Sequence, residues 1–129
     1  MANPNIVSVA TILGGNAGWN LSTGLTTTLA TVTAEYILKI NRIVCTNVHA
    51  TDAANLDLFV DGMGSGTTGV TTTGADATVY LAKVISVPAN ASLVVLDTPI
   101  YLMEGDILKG GSSAASSLDL FITYETLID

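Results

Sequence analysis

Three groups of residues have the types that chemistry needs. Gly64-Ser65-Gly66-Thr67-Thr68-Gly69 spells G-x-G-x-x-G and follows a strand-like run, Leu56 to Val60. That is the order in which a glycine turn cradles the pyrophosphate of a dinucleotide. Cys45 and His49 offer a thiol and an imidazole, the makings of a nucleophile and its base. Asp52, Asp57 and Asp61, or Glu104 with Asp106, could collect a hard cation through carboxylate oxygens.

Each group depends on the element that must position it. A dinucleotide site needs the glycine turn to open a helix, because the helix N-terminus supplies the N–H groups that hold the phosphates. Here the turn runs into Val70-Thr71-Thr72-Thr73-Gly74, and three β-branched residues followed by glycine make a poor helix start. No Lys follows to make a Walker-type loop, and no strand–helix–strand pattern surrounds it. No cofactor is expected. On a strand, residues four apart share a face but lie about 13 Å apart, so Cys45 and His49 cannot touch. Cys45 reads as a small core residue and His49 as the end of a strand. The acidic residues match no EF-hand spacing and read as solvated strand-face and turn carboxylates. With no metal site, cofactor or catalytic constellation, the chain is not expected to be an enzyme.

The elements themselves are strands. In Asn55 to Asp61, Leu56, Leu58 and Val60 share one face; in Ser117 to Tyr124, Leu118, Leu120, Ile122 and Tyr124 do the same. Period-two alternation of this kind marks half-buried antiparallel strands. Ile6–Ile12, Leu25–Thr33, a long or bent Tyr36–His49, Thr78–Val87, Ser92–Leu96 and Ile100–Met103 complete the expected set. Turn signals separate them: Gly14-Gly15-Asn16, Ala50 to Ala54, Pro88-Ala89-Asn90, Asp97-Thr98-Pro99, Glu104-Gly105-Asp106 and Gly110-Gly111. No segment sustains an apolar helical period. The expectation is an all-β chain: a single antiparallel β-sandwich, jelly-roll-like, of about eight strands. It carries an extended N-terminal arm, about residues 1–20, and a Gly/Thr-rich loop, residues 62–77. The expected core includes Leu56, Leu58, Val60, Val95, Leu102, Leu118, Leu120 and Ile122.

Composition narrows the partners. The chain has 129 residues, 12% of them charged, against about 25% in an ordinary soluble domain. Its net charge is −7, with four Lys and Arg against eleven Asp and Glu, so it has little with which to neutralise phosphates and no nucleic-acid partner is expected. Apolar runs are short and broken by Thr, Ser, Gly and Asn, far below the roughly 18 residues needed to span a bilayer. The N-terminus lacks the basic and apolar regions of a signal peptide. A surface so poor in charge suits contact with another protein. The candidates for that contact are Asn3, Pro4 and Asn5 in the arm, Trp19 in a flexible link, Gly64, Gly66 and Thr68 in the loop, and Phe59 and Phe121. The two Phe residues fall on the polar face of their strands, which a second layer of the chain or a neighbour must cover. The arm and the loop hold too little apolar surface to order themselves against about 1–2 kcal/mol of backbone entropy per residue, so a neighbour is expected to pin at least one.

The C-terminal half adds a resemblance. Val87-Pro88-Ala89-Asn90-Ala91-Ser92-Leu93-Val94-Val95-Leu96, then Pro99-Ile100-Tyr101-Leu102-Met103-Glu104-Gly105-Asp106-Ile107-Leu108, then Phe121-Ile122-Thr123-Tyr124-Glu125 resembles small virion structural proteins of tailed bacteriophages, cyanophage-like ones among them. The likeness runs from about Tyr36 onward. It implies a virion protein, first a capsid decoration (cement) protein that binds the phage coat protein on the outer capsid surface. It implies next a neck, tail or fibre subunit. Proteins of that class often form homotrimers. A carbohydrate-binding sandwich is the remaining alternative, weakened by an aromatic content of 5%.

Overall fold

The computed structural model describes residues 11–62 and 78–128. Its strands are β1 (Thr11–Asn20), β2 (Thr28–Thr31), β3 (Tyr36–Asn47), β4 (Ala54–Asp61), β5 (Val79–Val87), β6 (Ser92–Leu96), β7 (Ile100–Leu102), β8 (Ile107–Ser112) and β9 (Leu118–Ile128). They form two packed antiparallel sheets, in the orders β1-β9-β3-β6 and β2-β8-β4-β5, with β7 also on β3. β6 pairs with Ile43–Thr46 and β7 with Leu38–Ile40, so the two share one lane beside β3. Nine described strands therefore fill eight lanes.

The pairings show how the chain is wound. β1 pairs β9, β2 pairs β8, β3 pairs β6 and β7, and β4 pairs β5. This is one long hairpin, and rolling it up adds the contacts β3–β9 and β4–β8. A rolled hairpin in two sheets is a jelly roll, so the all-β sandwich expected from the sequence is the fold.

Alternation builds the core between the sheets. β4 contributes Leu56, Leu58 and Val60, and β9 contributes Leu118, Leu120 and Ile122. On β3, Leu38 and Ile40 face inward, and so do Ile43 and Cys45. The odd step from Ile40 to Ile43 would turn one pair outward. A β-bulge between Ile40 and Arg42 absorbs the extra residue and keeps both pairs inside. Val95, expected in the core, is half-buried against its edge.

The expected turns divide into two groups. At Glu104-Gly105 the chain does reverse: Asp106 N donates to Met103 O at 3.0 Å, and Gly105 has a φ of 86°, which glycine adopts without a Cβ penalty. Two other glycine pairs are not turns. Gly14-Gly15-Asn16 lies within β1, in unbroken register with Glu125, Tyr124 and Thr123. The extended arm therefore stops by Thr11, and Trp19 belongs to a strand rather than to a flexible link. A ladder is made of backbone groups, so β9 can hold a partner with few apolar side chains. Gly110-Gly111 lies within β8. A Cβ on Gly111 would come 2.7 Å from Gly24 O and 2.8 Å from Ser22 O. The glycine there marks a close crossing of the 22–25 turn over β8.

Candidate functional site

The carboxylates singled out in the sequence hold structure together. Asp57 Oδ1 accepts the N–H of Val84 at 2.7 Å, a donor released where register shifts twice between β4 and β5. Glu104 Oε2 accepts from Glu35 N at 2.8 Å, and Asp106 Oδ2 from Met103 N at 2.9 Å. His49 Nδ1 accepts from Thr51 N at 3.2 Å and Asp52 N at 3.0 Å. Cys45 is buried, and desolvation, helped by the charge of Asp119, pushes its thiol up to about 11. A thiol kept protonated is a poor nucleophile. Among the described residues no three His, Cys, Asp or Glu side chains gather to hold a metal ion.

Asp61 closes the base of the 62–78 connection. Lys109 Nζ donates to Oδ2 at 2.8 Å, Thr78 Oγ1 to Oδ1 at 2.7 Å, and Gly62 N to Oδ1 at 2.9 Å. The Lys109 hydrogen bond leads the causes that lower its carboxyl from 3.8 to about 2. A depressed carboxylate stabilises the fold above its unfolded value and loses that contribution as pH falls through the folded value. Stability from Asp61 should therefore fade between about pH 4 and pH 2. Asp106, raised by burial, works in the opposite direction. Urea midpoints taken across this range should show a shallower acid decline in Asp61→Asn than in the parent; equal slopes would show that the Lys109 contact is not felt.

Two surfaces remain with no structural duty that accounts for them. The first is the outer face of sheet one. Register places Gly18, Phe121, Val44 and Val94 in one row across four strands. Phe121 is 47% exposed and Val94 45%. The next outward row carries Arg42 and Thr123, and the one beyond it Glu125, Lys39 and Tyr101, with Lys39 Nζ 3.8 Å from Glu125. Phe121 therefore sits where a partner could reach it. Phe59 does not. It lies on the outer side of sheet two but is only 5% exposed, with the Tyr80 ring tilted against it at 5.0 Å and Lys83 Nζ 4.8 Å from the Tyr80 ring. Its own chain covers it. Asn3, Pro4, Asn5, Gly64, Gly66 and Thr68 lie outside the described residues.

Among the described residues the same sheet ends in an open edge. β1 has ten residues, no Lys, no Pro and no charge, and no bulge against β9. The other edges are blunted. β5 carries Lys83 and two register shifts, β2 is four residues long, and β6 and β7 are short with Pro99 between them. Natural sheets use such devices to prevent edge pairing, and among the described residues β1 has none.

The second surface is a cleft of about 470 Å³ at the margin where β1 faces β2. The short β2 leaves the inward side of β1 partly uncovered; Leu13, in phase with Ala17 and Trp19, is 50% exposed. Trp19, Tyr36 and Tyr124 line the cleft.

No family model, curated protein or solved structure matches the chain. The functional reading therefore rests on these surfaces and on the residues that carry the resemblance. Trp19 and Phe121 were legible as candidates because bulky aromatics stood out of pattern. Val44, Val94, Tyr36 and Tyr124 were not, because their positions beside those two depend on register and on which strands meet.

Proposed function

We propose that the chain is a non-enzymatic structural protein of a tailed-phage virion, a decoration protein that binds and stabilises the coat shell from its outer surface. The observation that carries this reading is the outer face of sheet one, where Phe121, Val44 and Val94 form an apolar row beside an unblunted edge. A coat subunit or a sister copy has two ways to engage it. Apolar residues lose water on contact, and the free backbone groups of β1 can extend a neighbour's sheet. The residues of the virion resemblance form the β5–β6 turn, β6, β7, the Glu-Gly-Asp reversal and part of β9, so three of the five strands of this sheet carry residues of it.

Jelly rolls serve as capsid domains and as lectins alike, so the fold supports the reading without deciding it. An interface of about 800 Å² per partner is enough for a stable complex, and shell symmetry multiplies weak contacts. A homotrimer follows from the class resembled. The net charge of −7 gives no attraction to packaged nucleic acid.

The test mixes purified protein with undecorated capsids and measures co-sedimentation. The parent should pellet with the shells. Phe121→Ser with Val94→Ser should melt like the parent and bind at least tenfold more weakly, since two apolar anchors lost at about 1 kcal/mol or more each exceed a factor of ten. A parent that ignores capsids and localises to the neck, tail or fibre of intact particles would replace decoration with that role.

A further inference from the structure

We propose that the cleft between β1 and β2 is a binding site for a neutral saccharide. This goes beyond the decoration reading and stands or falls separately from it.

Trp19, Tyr36 and Tyr124 are three of the seven aromatic residues in the chain, so a composition poor in aromatics is concentrated at one place. All three pack against the core while remaining half-exposed. The rest of the apolar wall comes from Ala17, Leu29, Ala30, Val32, Leu38 and Ile122. Its volume, about 470 Å³, falls within the roughly 300–1,000 Å³ of small-molecule sites.

The polar groups set the ligand chemistry. Among the described residues, the polar side-chain groups lining the cleft are the indole N–H of Trp19 and the hydroxyls of Tyr36, Tyr124, Thr31, Thr33 and Thr126. Thr126 Oγ1 donates to Leu13 O at a long 3.5 Å. The other four hydroxyls make no side-chain hydrogen bond among the described residues. Among the described residues no Asp, Glu, Lys, Arg or His lines the space. A charged ligand would meet no countercharge there, and a pure hydrocarbon would leave the hydroxyls without partners. A neutral sugar answers both requirements. Its C–H faces lie on aromatic rings, and its hydroxyls exchange hydrogen bonds with groups that both donate and accept.

Small residues on β1 preserve the arrangement. A Cβ on Gly15 would come 2.9 Å from Cζ of Tyr124, so glycine leaves Tyr124 where it lines the cleft. Ala17 keeps the neighbouring wall shallow.

Trp19 is the single tryptophan, so its fluorescence reports on the cleft directly. The full chain is titrated with neutral hexoses, N-acetylated amino sugars and neutral oligosaccharides, with calorimetry alongside. A saturable change in Trp19 emission is expected with at least one of them. Ala17→Leu should abolish it, and the near-isosteric Tyr124→Phe, which keeps the ring, should weaken it about tenfold, the value of one hydrogen bond to a neutral group. If Ala17→Leu does not fold, the Tyr124→Phe comparison decides. Binding of free sugar and binding of the same sugar on a surface polysaccharide are measured in parallel to identify the source of the ligand. Four results would overturn the proposal: no neutral sugar bound at tens of millimolar, binding untouched in Tyr124→Phe, an alkyl alcohol bound in preference to every sugar, or Trp19 emission that shifts with protein concentration alone. The last would mean that a second copy fills the cleft.

Discussion

Leu120→Ala should destabilise the protein by about 2–5 kcal/mol, the range for truncating a fully enclosed leucine. Leu120 is 1% exposed in the cluster between the sheets, and it stands beside Cys45 on β3 and Trp19 on β1. Removing it loses transfer energy and leaves a cavity where three strands meet, with little chance of collapse because β9 is held by ladders on both sides. The melting temperature should fall by about 7–18 °C. A loss below about half a kcal/mol, the ordinary range for surface substitutions, would show that this face of β9 is not the core.

Asn47→Ala should cost about 3 kcal/mol for a different reason. Asn47 is 1% exposed, and its amide ties three segments at the end of β3. Nδ2 donates to Asp52 O and Val87 O, each at 2.9 Å, while Oδ1 accepts from His49 N at 2.8 Å. Each bond contributes about 0.5–1.5 kcal/mol net, and a buried carbonyl left without its donor costs about 1–3 kcal/mol more. Denaturant unfolding should place this variant near Leu120→Ala in stability although it removes no apolar contact. If Asn47→Ala unfolds at the parent's midpoint, the three segments hold their places without it.

Legibility followed the physics of each element. β4 and β9 could be read because a sheet with one dry face stamps period two on its sequence, and Leu56 to Val60 and Leu118 to Ile122 carry that stamp. β3 could be read as a strand, but the face of Ile43 depended on a bulge that alternation alone does not reveal. β1 was missed because its stability comes from backbone pairing to β9, while Gly14, Gly15 and Gly18 leave almost no side-chain signal. Gly111 was misread because glycine is also the residue that permits close crossing, and the crossing segment lies some ninety residues earlier in the chain. The cleft was invisible for a related reason. Tyr36 and Tyr124 are ordinary strand residues until the roll brings them to Trp19.

The pairing of β1 with β9 has a mechanical consequence. Thr11 lies opposite Ile128, and Asn20 opposite Asp119, so the outermost described residues sit side by side at one corner of the sheet. Tension applied through them would pull across the ladder rather than along it. The hydrogen bonds would then load in turn, one pair after another, as in a zipper. A jelly roll pulled this way peels at low force from the β1 end, whereas a push or shear on its broad faces meets both sheets at once. Such a sheet resists being squeezed far better than being drawn apart through Thr11 and Ile128.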